Sequence, residues 1–182
     1  MDIWVNLARF SEIETQGLLL KPVSFKDASD FYELTRDPDN LPFIFPARAS
    51  RFESDYLLVH YFLKEPLGKW AIFDKSSQEF LGMINLESIQ ASKGWAEIGY
   101  FVKRSHWGKG IMTETLRTLS EIAFDAIGFQ KLIIITHQEN VASQVVAQKA
   151  GFHLVKHYKG SDRYTHKMRD YFRFELKKDD MT

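Results

Sequence analysis

The chain of 182 residues contains no cysteine, which excludes disulfides, thiolate metal sites and a cysteine nucleophile, and fits a reducing compartment. It also lacks net charge, with 24 Lys and Arg against 24 Asp and Glu. No affinity for nucleic acid or anionic membrane built on overall charge is therefore expected. Long apolar runs are missing as well. None approaches the roughly 18 residues that a membrane span needs, and residues 1–10 carry Asp2 and Arg9 within their apolar stretch, a poor pattern for a signal peptide. The expectation is a cytoplasmic protein with neither a membrane nor a nucleic acid as partner, acting as a monomer or homodimer. Proline (5) and glycine (10) are sparse, fall singly at element ends, and leave no repeat or low-complexity segment. What is plentiful is aromatic: 15 Phe, 7 Tyr and 4 Trp make 14% of a chain long enough for one core and short for two. A single domain over residues 1–182 is expected.

Leu18 to Val23 reads as a strand. Ser24 with Asp27 then forms a variant capping box ahead of apolar Phe25, Ala28, Phe31 and Tyr32, and this helix should end near Asp37-Pro38. A Pro- and aromatic-rich loop (Leu41, Pro42, Phe43, Ile44, Phe45, Pro46) leads to a second capping box, Ser50 with Glu53, and a helix bearing Tyr56, Leu57, Tyr61 and Leu63 that Pro66 and Gly68 stop. Most aromatics of these two helices are expected in the core, with Phe43, Phe45 and Tyr56 as candidates to line a substrate slot.

Trp70 to Asp74, Phe80 to Ile89 and Trp95 to Lys103 read as an antiparallel meander. After a loop from Arg104 to Gly110, Leu116, Leu119, Ala123 and Ile127 mark a helix closed by Gly128. Leu132 to Thr136 is a buried strand, Asn140 caps a helix ending at Gly151, and strands follow at Phe152 to Tyr158 and Lys167 to Lys177. The order βααβββαβαββ contains one strand–helix–strand crossover, so the class is α+β with a mixed, mostly antiparallel sheet flanked by helices.

Trp107-Gly108-Lys109-Gly110-Ile111-Met112-Thr113 lies between a strand and a helix. There, backbone amides and the helix dipole converge on any anion, and glycine permits close approach. The alternative is a tight strand-to-helix turn. No Gly-x-x-x-x-Gly-Lys-Ser/Thr phosphate loop occurs, and the third glycine of a dinucleotide fingerprint is absent. The six histidines have no metal-site spacing. His153 and His157 fall in a predicted strand, so no metal is expected, and His106 reads as a solvated loop residue.

One strand later come Asn140-Val141-Ala142-Ser143 and Gln148-Lys149-Ala150-Gly151-Phe152. Together with TQGLLLKPV (15–23), AEIGY (96–100) and WGKGIMTE (107–114), these segments resemble the GNAT acyltransferase superfamily. More closely they resemble the branch that contains the ribosomal-protein N-terminal acetyltransferases. The resemblance implies a V-shaped sheet holding acetyl-CoA, with the pyrophosphate on the amides of Trp107, Gly108, Lys109, Gly110, Ile111, Met112 and Thr113. Pantetheine would pair with the backbone at Phe101 and Val102 like an added strand, and Asn140 would both cap its helix and contact the cofactor. Two positions depart from the superfamily pattern: Ser105 stands where Gln or Arg is usual, and Ala147 where a tyrosine often serves as general acid.

Acetyl transfer from a thioester to an amine requires a neutral nucleophile, a base, an oxyanion donor and a hydrogen bond to the leaving thiolate. By resemblance Glu97 is the base, directly or through water; strand alternation sets it on the side of Gly99 and Phe101. Its alternative is a paired rim carboxylate. By the same resemblance Ser143 hydrogen-bonds the leaving sulfur, its alternative being helix capping or solvation, and an amide near Phe101 or Val102 is the oxyanion donor. The implied activity is direct transfer of acetyl from acetyl-CoA, in a ternary complex, to a primary amine on a protein N-terminus or a small molecule. A non-catalytic acyl-CoA-binding regulatory module, which Ala147 would favour, is the alternative; a nucleotide-binding domain is a third reading that the missing phosphate-loop lysine and serine oppose.

The zero net charge conceals a division. Residues 1–102 hold 10 basic and 15 acidic side chains, and residues 103–182 hold 14 and 9. A polyanionic cofactor suits the second half and a cationic amine the first.

Overall fold

The computed structural model describes residues 2–40, 43–48 and 50–181. Leu41 and Pro42 of the aromatic loop lie outside the described residues. The chain groups into two compact units. One comprises Leu7–Asn85 with Tyr100–Ile111; the other comprises the residues before Leu7, Leu86–Gly99 and the chain from Met112 onward. Strands run in the order β1-β2-β3-β4-β5-β6-β8-β7, where β1 is Ile13–Glu14, β2 Leu18–Lys21, β3 Lys69–Asp74, β4 Phe80–Gln90, β5 Trp95–Val102, β6 Lys131–His137, β7 His153–Ser161 and β8 Met168–Lys177. β5 and β6 pair in parallel, joined by a crossover helix, while β1–β2, β2–β3, β3–β4, β6–β8 and β7–β8 pair antiparallel, which gives the expected α+β class.

In the first unit, α2 (Ala28–Thr35) buries Ala28, Phe31, Leu34 and Thr35, and α3 (Arg51–Leu57) buries Ser54, whose hydroxyl lies 3.0 Å from that of Thr35. Ser50 caps α3 through its hydroxyl on the Glu53 N–H at 3.2 Å, and the Glu53 carboxylate answers on the Ser50 N–H at 3.2 Å. The helix continues as a wider π turn over Leu58–Leu63. Phe31, Phe62 and Phe101 meet edge to face, with centroids 5.6 and 6.3 Å apart, and Phe45 meets Phe101 at 5.5 Å. Such pairs add about 0.5–1.5 kcal/mol beyond area burial, and with Phe73 and Phe80 they give this unit a largely aromatic core. Phe45 is thus a core residue, whereas Tyr56 is exposed and stacks on His60. Phe25, expected on the buried helix face, stands 56% exposed because it lies in a 3₁₀ turn ahead of α2.

In the second unit, α4 (Ile111–Ile122) buries Met112, Leu116 and Leu119, then widens into a π turn over Ala123–Ile127 and stops at Gly128 with φ +110°. Parallel register sets Glu97 opposite Ile133, and β8 sets Glu175 opposite Ile133 on the other side. Helix α5 (Val141–Lys149) buries Ala147, and the Arg117 guanidinium donates to its terminal Lys149 carbonyl at 2.6 and 3.1 Å. The sequence reading omitted two elements: β1 and an N-terminal helix, α1 (Ile3–Arg9). The buried Asn6 amide holds α1 by donating to the Ile127 carbonyl at 3.1 Å.

Candidate active site

The glycine-bearing loop leaves β5 through a 3₁₀ turn at Arg104–His106. Its backbone is tied down: the Arg104 N–H donates to the Asn40 side-chain oxygen, and the Arg104 guanidinium meets Asp37 at 3.0 Å and Asp39 at 3.3 Å. The Trp107 indole N–H donates to the Val102 carbonyl at 2.9 Å and returns the loop onto the end of β5. His106 is held more firmly than a solvated loop histidine. Its ring nitrogen lies 2.9 Å from the Ser105 hydroxyl, and its other nitrogen lies 3.6 Å from Glu79. Ser105, at the usual Gln or Arg position, thus faces His106.

Gly108 and Gly110 have φ of +74° and +77°, and a Cβ on either would meet nothing within 4 Å. Both glycines are therefore required by backbone conformation and not by crowding. The second of these positive-φ glycines immediately precedes Ile111, the first residue of a helix of 12 residues, whose first-turn N–H groups have no partners within the helix. A cradle of this kind, open above the glycines and amide-lined at the helix start, fits a pyrophosphate.

Burial along β5 alternates from Trp95 to Gly99, where Ala96 and Ile98 are buried and Glu97 and Gly99 half-buried, and then breaks, since Phe101 and Val102 are both buried. Gly82 of β4 lets the two strands approach: a Cβ there would fall 2.1 Å from the Phe101 carbonyl oxygen. The Glu97 carboxyl is pushed above the ordinary glutamate range by burial first and by the Glu87 carboxylate second, against the opposing pull of Arg163 and Arg173. Tyr158 of β7 stacks on Tyr171 of β8 at 5.6 Å, and burial, then Glu97, push its phenol upward. The Arg173 guanidinium is engaged by Glu175, with Nε and Nη2 at 2.9 and 2.7 Å from one oxygen.

At the start of α5 the Ser143 N–H donates to Asn140 Oδ1 at 3.2 Å, so Asn140 is the cap that the sequence predicts. Ser143 is half-buried on the first turn. Among the described residues no group of three or more His, Asp or Glu side chains is arranged to hold a metal, and no helix is long and apolar enough to cross a membrane. Glu87 and Tyr158 escaped the sequence reading. Their relation to Glu97 arises from strand pairing, which leaves no mark on local spacing.

Residues 17–153 match the acetyltransferase (GNAT) domain family. The chain belongs to the GNAT acetyltransferases. A probable N-acetyltransferase of Bacillus subtilis, YjcK, is 35% identical over 85 residues, covering 46% of this chain and 47% of that protein, so the matched part spans about half of that relative. Among solved structures, a GNAT-family acetyltransferase from Bacillus anthracis superposes with a TM-score of 0.83 at 18% identity, covering 92% of this chain and 99% of that one. RimL, a ribosomal alpha-N-protein acetyltransferase in complex with coenzyme A, gives 0.79 at 20% identity, covering 93% and 99%. At such identities the likeness is one of fold, and coenzyme A is bound by a GNAT protein of this fold.

Proposed function

We propose that this GNAT protein is an N-acetyltransferase that moves acetyl from acetyl-CoA to a primary amine by direct attack in a ternary complex, within one domain over residues 1–182. The observation that carries the reading is Glu97: a half-buried carboxylate whose basicity is raised, on the strand that runs directly into the glycine cradle. A carboxylate of raised proton affinity is what removal of the acceptor amine's N–H proton needs. The amides from Trp107 to Thr113 take the pyrophosphate, and the β5 backbone at Phe101 and Val102 takes the pantetheine and the developing oxyanion. The acceptor nitrogen bonds to the thioester carbonyl carbon, its proton passes to Glu97 directly or through water, and the carbon–sulfur bond breaks with Ser143 hydrogen-bonding the departing thiolate. Asn140 contacts the cofactor while capping α5. The acceptor is a protein N-terminus, as for the ribosomal-protein branch, or a small-molecule amine, and the site of action is the cytoplasm.

One observation favours a second reading, a regulatory acyl-CoA-binding module: Ala147 is fully buried and offers no hydroxyl where a tyrosine often stands. Acetyl-CoA-dependent thiol release, screened across peptides and small amines with wild type and Glu97→Gln, separates the two. Turnover that falls by about 10² or more in Glu97→Gln with unchanged acetyl-CoA affinity supports the enzyme. Tight CoA binding without turnover on any amine supports the module.

A further inference from the structure

Gly99 is not a glycine for conformational reasons, since its φ lies outside the left-handed region. The reason is room. A Cβ built there would fall 2.4 Å from Glu87 Oε1 and 2.8 Å from Glu87 Cδ. The Glu87 side chain, from the outer part of β4, therefore lies across β5 at the position two residues beyond Glu97, on the side that Glu97 shares.

The charged groups that act on Glu97 come from three places: Glu87 on β4, Arg163 between β7 and β8, and Arg173 on β8; Tyr158 on β7 is itself acted on by Glu97. Arg173 is largely answered by its own partner, Glu175, which Lys131 also approaches at 3.7 Å. Tyr158 is a neutral phenol across the physiological range, because burial and its acidic neighbour oppose its ionisation. Glu87 is thus the like charge beside Glu97 that no side chain at residue 99 displaces.

We infer that Glu87, seated in the space left by Gly99, is a positioning residue that acts through Glu97, making it a stronger base for the acceptor's proton. The inference rests on the reading of Glu97 as the base. The step it serves is a single proton transfer: the acceptor's N–H proton passes to a Glu97 carboxylate oxygen as the new C–N bond forms, and Glu97 then returns it to solvent, from which the departed thiolate takes the proton that makes it a thiol. Two like carboxylates close together raise the proton affinity of one of them. Gly99 is part of the device because any side chain there would displace the Glu87 carboxylate from its present seat.

The test follows the Glu97 carboxyl directly and kinetically. Carbon-13 NMR titration of wild type, Glu87→Gln and Gly99→Ala is expected to show the Glu97 midpoint moving to lower pH in both variants. The first loses the charge and the second keeps it but displaces it. The acid limb of kcat/KM is expected to move the same way. The plateau of kcat should fall less than about tenfold, against the 10² or more expected for Glu97→Gln, with KM for acetyl-CoA unchanged. Glu87→Asp, retaining the charge, should restore most of the limb's position. A Glu97 midpoint that stays in place in both variants overturns the inference even if Glu97→Gln is inactive. Wild-type turnover by Glu97→Gln overturns the base reading, and the inference with it, whatever the titration shows.

Discussion

Asn140 and Ser143 are joined through the serine's backbone: its N–H donates to Asn140 Oδ1 at 3.2 Å and closes the first turn of α5. The Ser143 hydroxyl is not what makes the cap, so stability and chemistry can be separated at this turn. Asn140→Ala is expected to destabilise the fold by about 1 kcal/mol through the lost cap. Ser143→Ala should cost the fold less than Asn140→Ala in urea unfolding, while lowering turnover about tenfold or more where chemistry limits the rate. Full turnover by Ser143→Ala under those conditions removes the serine from the mechanism.

Gly108 and Gly94 both have positive φ, +74° and +67°, but only Gly94 is crowded, with Gln130 Cγ 3.2 Å from a Cβ. A side chain at either position strains the backbone by about 1–2 kcal/mol. Gly108→Val adds branches over the cradle, so acetyl-CoA affinity should fall at least tenfold in calorimetric titration of folded protein. Gly94→Ala should lower the melting temperature and leave that affinity alone. Equal affinity in both variants would detach the glycine loop from the cofactor.

The parts of the fold legible in the sequence are those whose signals are local. The Ser50–Glu53 capping box, the Gly128 stop and the Asn140 cap each occupy a few adjacent residues, and each forms as its spacing predicts. What escaped depends on distant partners. Helix α1 exposes apolar Trp4 and Val5 and buries polar Asn6 beside Ile3 and Leu7, so its buried face is masked in the sequence; Asn6 secures it on a carbonyl 121 positions away. Glu87 reads as an ordinary strand carboxylate until the two strands bring it over Gly99. The place of the glycine loop between a strand and a helix is legible, but its anchoring by Asp37, Asp39 and Asn40 is not, since those residues read only as the end of a helix.

Asp74 organises the β3–β4 turn, accepting from the Ser77 N–H at 2.8 Å, the Ser76 hydroxyl at 2.9 Å and the Ser76 N–H at 3.0 Å. These bonds, the Ser77 backbone N–H foremost, lower its carboxyl from 3.8 to about 2. A carboxyl whose folded-state pKa is depressed stabilises the fold above its unfolded value and loses that contribution as pH falls through the folded one. Asp74→Asn is therefore expected to lower the urea midpoint at pH 7, and the gap from wild type should close between about pH 4 and pH 2. A constant gap over that range would mean that the ionised state of Asp74 contributes nothing.

Glu97 obeys the opposite sign. Its folded-state pKa is raised by burial first and by Glu87 second, so the folded protein binds the proton more tightly than the unfolded chain. Stability is then full below the unfolded value of 4.5 and falls as pH rises through the window up to the folded pKa. Above that window the ionised carboxylate is a net liability to the fold. Glu97→Gln, of nearly the same shape, removes it. The variant is expected to melt higher than wild type at pH 7 and to lose that advantage as the pH is brought down to about 4. Scanning calorimetry across this range checks both the sign and the window. A variant that melts lower than wild type at pH 7 would show that ionised Glu97 is stabilised by Arg163 and Arg173 more than burial and Glu87 oppose it, and the carboxylate would then be a structural ion-pair partner.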